Sequence, residues 1–189
     1  MNLEIHTSSP VQNPSLIVSK IKKDEFLKIK NLVDKWNNEI EKKIEEIEDI
    51  PTLNKELDLL DDANTIYSKI SANIELLKLN NTNKFKMIKC IDTHHRIQGI
   101  AQYERKKNKF SLDYLATKPS NLECSLNNPI KRTKGVGTQI ISYFNNKMIN
   151  KKIKKLCVYP SETSFPFYEK LKFQYINPYY MELSIDEAT

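Results

Sequence analysis

The sequence predicts an α/β (α+β) protein in which a mixed, mostly antiparallel sheet is flanked by helices, with two long helices near the N-terminus. Three features of the pattern predict this class. Apolar residues recur every three or four positions between Phe26 and Leu77, as in amphipathic helices. From Phe85 to Thr117 they alternate with polar residues, as in strands. After Gly137, helical and strand-like segments alternate toward the C-terminus.

The N-terminal part predicts one strand and two helices. Residues 15–21 are apolar and β-branched, which indicates a short strand. Asp24 can cap a helix. One apolar stripe defines that helix: Phe26, Ile29, Val33, Trp36, Ile40, Ile44 and Ile47. Pro51 interrupts the pattern and suits the first turn of a second helix. The apolar rhythm of the second helix runs over 53–77, with a break expected near Asp61–Asn64.

The remaining elements follow from alternation, turn residues and one further helical stripe. A loop at Asn80–Asn83 precedes three antiparallel strands near 85–91, 97–103 and 110–117, with turns at Asp92–His95 and Lys106–Asn108. A polar loop over 118–131 leads to a helix that begins near Gly137. The last predicted elements are a strand at 153–159, a short helix at 164–172, and strands near 173–176 and 179–185.

Length and composition restrict the class of protein. The 189 residues predict one domain spanning 1–189, and 39% hydrophobic with 29% charged residues is typical of a globular protein. Three glycines in all exclude collagen-like and glycine-rich repeats. No apolar run is long enough to span a bilayer and no secretory signal is visible, so we expect a cytoplasmic protein without a membrane partner. Delivery by a specialised secretion system would leave no mark in such a sequence.

Cysteine usage predicts neither a disulfide framework nor a metal site. Cys90, Cys124 and Cys157 are odd in number, far apart and not in CxxC pairs.

The net charge of +6 is unevenly distributed. Residues 1–80 carry −4 and residues 81–189 carry +10. A basic half suggests an anionic partner such as a nucleotide, a nucleic acid or a membrane surface, and the alternative is a solvated lysine-rich surface. The chain lacks a helix-turn-helix, zinc or RNP signature, and its lysines lie on many elements. Nucleic-acid binding as the sole function is therefore disfavoured.

Two of the three glycines, Gly135 and Gly137, precede a predicted helix. The amides of a first helical turn have no intrahelical partner and the helix dipole is positive there, so a glycine turn can cradle a phosphate. Arg132 and Lys134 add positive charge. The alternative is a loop that only opens a helix. The spacing fits neither a P-loop nor the dinucleotide fingerprint, which needs a third glycine.

The string Arg132-x-x-Gly135-x-Gly137 resembles the Q/R-x-x-G-x-G/A acyl-CoA loop of the GCN5-related N-acetyltransferases, the GNAT family. Residues 115–119 look like the end of the family's fourth strand, whose backbone pairs with the pantetheine arm. Residues 167–173 are similar to the family's F-Y-x-K-x-G-F signature. The order of predicted elements also matches the family over most of the chain.

The chain departs from the family pattern in four places, one of which is the length of its first two helices. The loop from Pro119 to Arg132 is longer than usual, and Lys172 stands where the family has glycine. The asparagine that often follows the fifth strand is not evident, and Ser161 and Glu162 occupy that region.

The resemblance implies acetyl-CoA as cosubstrate, no metal, and a primary amine as acetyl acceptor. It places the acceptor side in the mainly helical residues 1–80 and CoA in residues 81–189. The implied CoA-binding residues are Leu115, Ala116, Thr117, Arg132, Thr133, Lys134, Gly135, Val136, Gly137 and Thr138. The acceptor could be a small molecule, a peptide, a protein or an aminoacyl-tRNA. A homodimer through the long helices or the C-terminal strands is compatible with the sequence.

The resemblance also implies that Tyr168 is the general acid that protonates the leaving thiolate. The alternative is a tyrosine packed among its aromatic neighbours. A catalytically idle CoA-binding or protein-interaction module with the same fold is the alternative function.

The general base is less determined by the sequence. Asp113 shares strand parity with Ser111, Leu115 and Thr117 and could face the site, and Glu104 is the other candidate. Either carboxylate could instead be a solvated strand residue. His94 and His95 lie in a predicted exposed turn, and Cys157 is expected in the core.

Overall fold

Residues 15–48, 50, 53–80, 85–122 and 133–185 are described by a computed structural model. The predicted first helix is confirmed as α1, Phe26–Ile47, but Asp24 does not cap it: Asp24 lies inside a 3₁₀ turn at Lys23–Glu25, and Glu25 is the N-cap residue. Five members of its predicted stripe are buried: Ile29, Val33, Trp36, Ile40 and Ile47.

The second helix, α2, runs without interruption over Asn54–Asn80, so the break expected near Asp61–Asn64 is wrong. Ala63 is buried there, and it completes a stripe at intervals of three and four residues: Leu60, Ala63, Tyr67, Ile70, Ile74 and Leu77. Because alanine is small and only weakly apolar, the sequence pattern did not show that the apolar stripe continues through Ala63. The expected loop after α2 lies largely in residues 81–84, outside the described residues.

Seven strands form one sheet in the order β1-β2-β3-β4-β5-β7-β6. The strand bounds are β1 Ile17–Lys20, β2 Lys86–Ile91, β3 Ile97–Lys106, β4 Lys109–Thr117, β5 Lys155–Val158, β6 Gln174–Asn177 and β7 Tyr180–Ser184. All neighbouring strands are antiparallel except β4 and β5, which pair in parallel. The predicted mixed, mostly antiparallel sheet is confirmed.

Two apolar layers cover the sheet because its side chains alternate between the faces. On one face α1 and α2 pack against sheet residues that include Met87, Ile100 and Ala116. On the other face lies α3, Val136–Lys151, together with the short helix α4, Phe165–Lys170. These helices pack against Ala101, Tyr103, Phe110 and Leu112.

The turn after α4 forms without a glycine at residue 172, where the GNAT pattern has one. Lys172 adopts a left-handed conformation with φ of 67°. Its amide donates to the Glu169 carbonyl at 2.9 Å, and the Phe173 amide donates to the Tyr168 carbonyl at 3.1 Å. This pair of bonds is the Schellman arrangement, which favours glycine at the position that Lys172 occupies.

We expect Lys172→Gly to raise the free energy of unfolding by about 0.5–1 kcal/mol, because glycine removes the steric cost of a left-handed side chain. Chemical denaturation of the two proteins measures the difference. The matched control is Lys170→Gly within α4, which should lower stability by about 0.5–1 kcal/mol. Equal losses at both positions would show that residue 172 does not strain the turn.

Candidate functional site

The parallel strands β4 and β5 separate partway along the sheet. Residues Lys109–Leu112 of β4 pair with Lys155–Val158, where β5 ends. Beyond that point Asp113–Thr117 continues as β4 and, among the described strands, pairs only on its β3 side. The free edge presents backbone N–H and C=O groups to a cleft, and such an edge can pair with an extended ligand.

A hydrogen bond from α2 holds the end of β4. The buried Tyr67 hydroxyl donates to the Thr117 carbonyl oxygen. Burial raises the pKa of Tyr67 well above its usual value, so the hydroxyl keeps its proton. The Trp36 ring packs on Tyr67 with the centroids 5.8 Å apart. In the sequence, Tyr67 is recognisable only as a member of an apolar stripe, because residue spacing does not indicate what its hydroxyl contacts.

A left-handed glycine begins α3. Gly135 is the N-cap residue with φ of 80° and ψ of 9°, a conformation that costs other residues free energy. No side chain caps this helix. The first-turn amides of Val136, Gly137 and Thr138 therefore lie at the positive end of a 16-residue helix. Lys134 and Gly135 are exposed, whereas Arg132 lies outside the described residues.

A chain of polar side chains fixes the segment that leads into this turn. The Asn121 Oδ1 atom accepts a hydrogen bond from the Thr133 amide at 2.9 Å. Its Nδ2 atom donates to the carbonyl and the side-chain oxygen of Gln98, at 3.3 and 3.2 Å. Gln98 in turn donates to Asp92 Oδ2 at 2.8 Å. The start of α3 is thus tied to the β2–β3 turn.

Asp92 is the ionised end of this chain. Its burial alone would raise the pKa, but hydrogen bonds from the Arg96 amide and side chain and from the His94 amide lower it to about 2. The histidines lie in an exposed turn, as predicted, with His95 at φ of 59°.

All three glycines meet at the first turn of α3. A Cβ atom on Gly99 of β3 would lie 2.6 Å from Val136 Cγ1 and 3.0 Å from the Ala116 carbonyl oxygen. A Cβ atom on Gly137 would lie 2.8 Å from Cζ of Phe167. From the sequence, we expect Gly137 to let a bound group approach the backbone. The structure adds a second reason for glycine here, because the absence of a side chain makes room for the Phe167 ring.

Tyr168 follows Phe167 in α4 and is buried in the core beneath α3. Its ring packs edge-on against Phe167 and Phe173, with centroid distances of 4.9 and 5.2 Å. Burial raises the pKa of the hydroxyl above its usual value. Tyr168 is therefore a neutral proton donor at every ordinary pH, and its ring has the aromatic packing that the alternative interpretation expected.

Asp113 lies where β4 and β5 separate, but its expected alternation with Leu115 and Thr117 is interrupted. Gln102 pairs with Tyr114 and Tyr103 pairs with Leu112, which leaves Asp113 as the extra residue of a β-bulge. The bulge shifts the alternation, so Leu112 and Leu115 both reach the α3 side of the sheet. A strict period of two cannot reveal such an insertion.

The environment of Asp113 favours an elevated pKa. The side chain is half-buried; Oδ1 accepts a hydrogen bond from Ser111 Oγ at 3.2 Å, and Oδ2 has no hydrogen-bond partner among the described residues. Burial raises the pKa of the carboxyl, helped by the charge of Glu104, although Ser111 and Gln102 act in the opposite direction. A raised pKa makes this carboxylate a stronger proton acceptor than a fully solvated aspartate.

Cys157 of β5 is buried, as expected, but its neighbours are polar. The Tyr180 hydroxyl donates to Cys157 Sγ at 2.7 Å and lies 3.2 Å from Glu182 Oε2. Lys155 pairs with Glu182 at 2.8 Å. Burial raises the pKa of the Cys157 thiol, so the thiolate is disfavoured. This cluster borders Ser111, the strand partner of Cys157.

The described part of the chain contains neither a metal-binding cluster nor a membrane-spanning helix. No group of three or more His, Cys, Asp or Glu side chains is arranged to hold a metal ion. In the same residues, no helix has the length and apolar character needed to cross a bilayer.

Comparison with solved structures finds acetyltransferases of the same architecture. The PaiA N-acetyltransferase of Thermoplasma acidophilum, solved with coenzyme A, has a TM-score of 0.53 at 15% identity, over 90% of this chain and 99% of that chain. A GNAT-family acetyltransferase of Staphylococcus aureus Mu50 has a TM-score of 0.56 at 10% identity, over 90% and 99%. One from Brucella melitensis, solved with acetyl-CoA, has 0.51 at 8% identity, over 92% and 90%.

No protein-family model and no curated protein sequence matches the chain. The structural likeness shows that the chain has the GNAT fold, and the fold expected from its motifs is confirmed.

We expect Gly99→Ala to lower the free energy of unfolding by about 1–3 kcal/mol, because the new methyl group would overlap Val136 and a backbone oxygen. Denaturant titration measures the loss. Gly137→Ala provides the comparison, since its overlap is with a ring that Phe167→Ala removes. In the Phe167→Ala background, Gly137→Ala should stabilise by up to about 1 kcal/mol through helix propensity. A Gly99→Ala variant with an unchanged free energy of unfolding would show that α3 does not pack closely against β3.

Proposed function

We propose that the protein is an acetyl-CoA-dependent N-acetyltransferase that moves an acetyl group to a primary amine by direct attack. One observation carries the proposal: the free edge of β4 at Asp113–Thr117 opens beside a helix that starts with a left-handed glycine. Together they offer backbone groups to an extended arm and first-turn amides to an anion. The GNAT fold and the neighbours solved with coenzyme A or acetyl-CoA support the same ligand.

In this proposal the pyrophosphate of CoA lies against the amides of Gly135, Val136, Gly137 and Thr138. Arg132, Thr133 and Lys134 would supply further donors and positive charge at the same turn. The pantetheine arm would pair with the backbone of Leu115, Ala116 and Thr117. Because Tyr67 fixes the Thr117 carbonyl, this edge is positioned before any ligand arrives.

Acetyl transfer then requires three steps from the protein's own groups. A base removes the proton of the acceptor ammonium, so that the amine nitrogen can form its bond to the acetyl carbon. An amide near Ala116 or Thr117 donates to the thioester oxygen as negative charge develops there. The C–S bond breaks as Tyr168 gives its hydroxyl proton to the departing sulfur, and the second proton that the nitrogen loses as the amide forms restores the phenol.

Asp113 is the base that the structure favours. It lies at the separation of β4 and β5, and its raised pKa makes it a better proton acceptor than an ordinary aspartate. Glu104 remains the second candidate, since it pairs with Ser111 in the neighbouring strand.

The acceptor is proposed only as a class, a primary amine on a small molecule, peptide, protein or aminoacyl-tRNA. Exposed Tyr175, Ile176 and Tyr179 around the β6–β7 hairpin, with α1 and α2, would shape that side of the cleft or a homodimer interface.

A catalytically idle module of the same fold is the second candidate function. The observation that favours it is the burial of Tyr168, which raises its pKa and makes it a weaker acid toward a thiolate.

We expect Tyr168→Phe to retain CoA affinity and to lower kcat by about 100-fold, because it removes only the proton donor. Calorimetry with CoA and thiol release from acetyl-CoA over an amine panel measure the two effects. Thr93→Ala, which removes an exposed hydroxyl from the β2–β3 turn, is the control and should behave as wild type. CoA binding without thiol release from the wild type would favour the idle module, and no CoA affinity would eliminate the enzyme and the CoA-binding module alike.

For the wild type, kcat/KM should rise with pH through the raised pKa of Asp113, since the base acts when ionised. Asp113→Asn should abolish this rise in a pH-rate profile, while Glu104→Gln should keep it. The opposite pattern would assign the base to Glu104.

A further inference from the structure

A second candidate site lies at the other end of α3. A cavity of about 270 Å³ opens beside Lys147 and Lys151, in the last turns of the helix. At 1.5 Å rise per residue, Lys147 lies about 15 Å along the axis from Gly137. The proposed CoA turn and this cavity are therefore separate places. The floor of the cavity is apolar and includes Ile21, Phe26 and Met87.

The cavity is lined by cations from four elements and the segment after β1. They are Lys20, Lys23, Lys86, Arg105, Lys147 and Lys151, and no lining residue is acidic. In the described part of the chain, no carboxylate lies within ion-pair distance of Lys20, Lys86, Arg105, Lys147 or Lys151. Repulsion from Arg105 is the main cause that lowers the pKa of Lys151. Such a concentration of like charge calls for an anion.

Aromatic side chains hold Lys147 in place at the cavity wall. Its Nζ atom donates to the hydroxyls of Tyr103 and Tyr143, each at 2.9 Å. It also lies 5.0, 4.8 and 5.7 Å from the ring centroids of Tyr103, Tyr143 and Phe110. An ammonium has three donors, and the third has no partner among the described residues. A preorganised, partly buried donor of this kind is typical of a binding site.

We propose that this cavity binds the diphosphate group of a small molecule. Several lysines arranged as point charges suit phosphate oxygens, and the negative charges of a diphosphate would offset part of the positive charge around the cavity. The volume fits a diphosphate with a small attached group and is too confined for the extended groove along which a nucleic-acid strand binds. The inference goes beyond the proposed acetyl transfer and does not depend on it.

The protonation state of Lys147 should make anion affinity at this cavity depend on pH. Burial first, and then repulsion from Lys20, Lys86 and Arg105, lowers the pKa of Lys147 to about 8. A bound anion favours the protonated form, so affinity should fall as the pH rises through 8. The groups that face Lys147 are the hydroxyls of Tyr103 and Tyr143 together with these cations and Lys151, and all of them are neutral or positive.

The experiment is a calorimetric titration of the full chain with inorganic pyrophosphate, with ADP and with a short single-stranded oligonucleotide. We expect pyrophosphate or ADP to bind the wild type, and Lys147→Met to weaken that binding at least about tenfold. The exposed Lys42→Met in α1 is the matched control and should leave affinity unchanged. Tighter binding of ADP than of pyrophosphate would identify a nucleoside diphosphate, whereas equal affinity would identify the diphosphate group alone.

Arg105→Met, on the exposed rim, is the second variant in case Lys147→Met fails to fold, and it should also weaken binding. The Kd of Lys147→Met divided by the Kd of the wild type should fall toward one between pH 7 and 9.5, because Lys147 loses its charge over this range. The ratio is used because the ionisation of the probe affects both proteins equally. Unchanged affinity in both variants would overturn the proposal. So would an oligonucleotide that binds more tightly than pyrophosphate through the same two side chains.

Discussion

The close seating of α3 on the sheet is the constraint on which the rest of the site depends. Val136 can pack on β3 only because Gly99 has no side chain there. That contact fixes where the left-handed turn at Gly135 begins and where the first-turn amides lie. Phe167 packs against Gly137 on the other side, so the neighbouring Tyr168 is placed by the same contact. A displaced α3 would separate the anion cradle from the free edge of β4.

Positive potential is found at both ends of α3. At the N-terminal end of α3, backbone amides and the helix dipole supply the positive potential, with Lys134 beside them. At the C-terminal end the potential comes from side chains such as Arg105 and Lys147 around a cavity. The first arrangement suits a pyrophosphate that is held by hydrogen bonds, and the second suits one that is held mainly by charge.

Most elements of the fold could be predicted because each has a periodic apolar pattern and a clear boundary. The glycine turn could also be predicted, since two glycines close together in a glycine-poor chain are conspicuous. The β-bulge at Asp113 could not, because one inserted residue leaves no mark in the alternation. The hydroxyl contact of Tyr67 and the room that Gly137 makes for Phe167 are tertiary contacts between distant segments, which spacing alone cannot reveal.

The scarcity of glycine also provides the most direct measurement of the central claim. Selective ¹⁵N-glycine labelling should give three amide resonances, from Gly99, Gly135 and Gly137. If the first turn of α3 holds the pyrophosphate of CoA, added CoA should shift the Gly135 and Gly137 resonances strongly. Pantetheine, which lacks the pyrophosphate, should shift them far less. Glycine resonances that stay in place at saturating CoA would contradict the account.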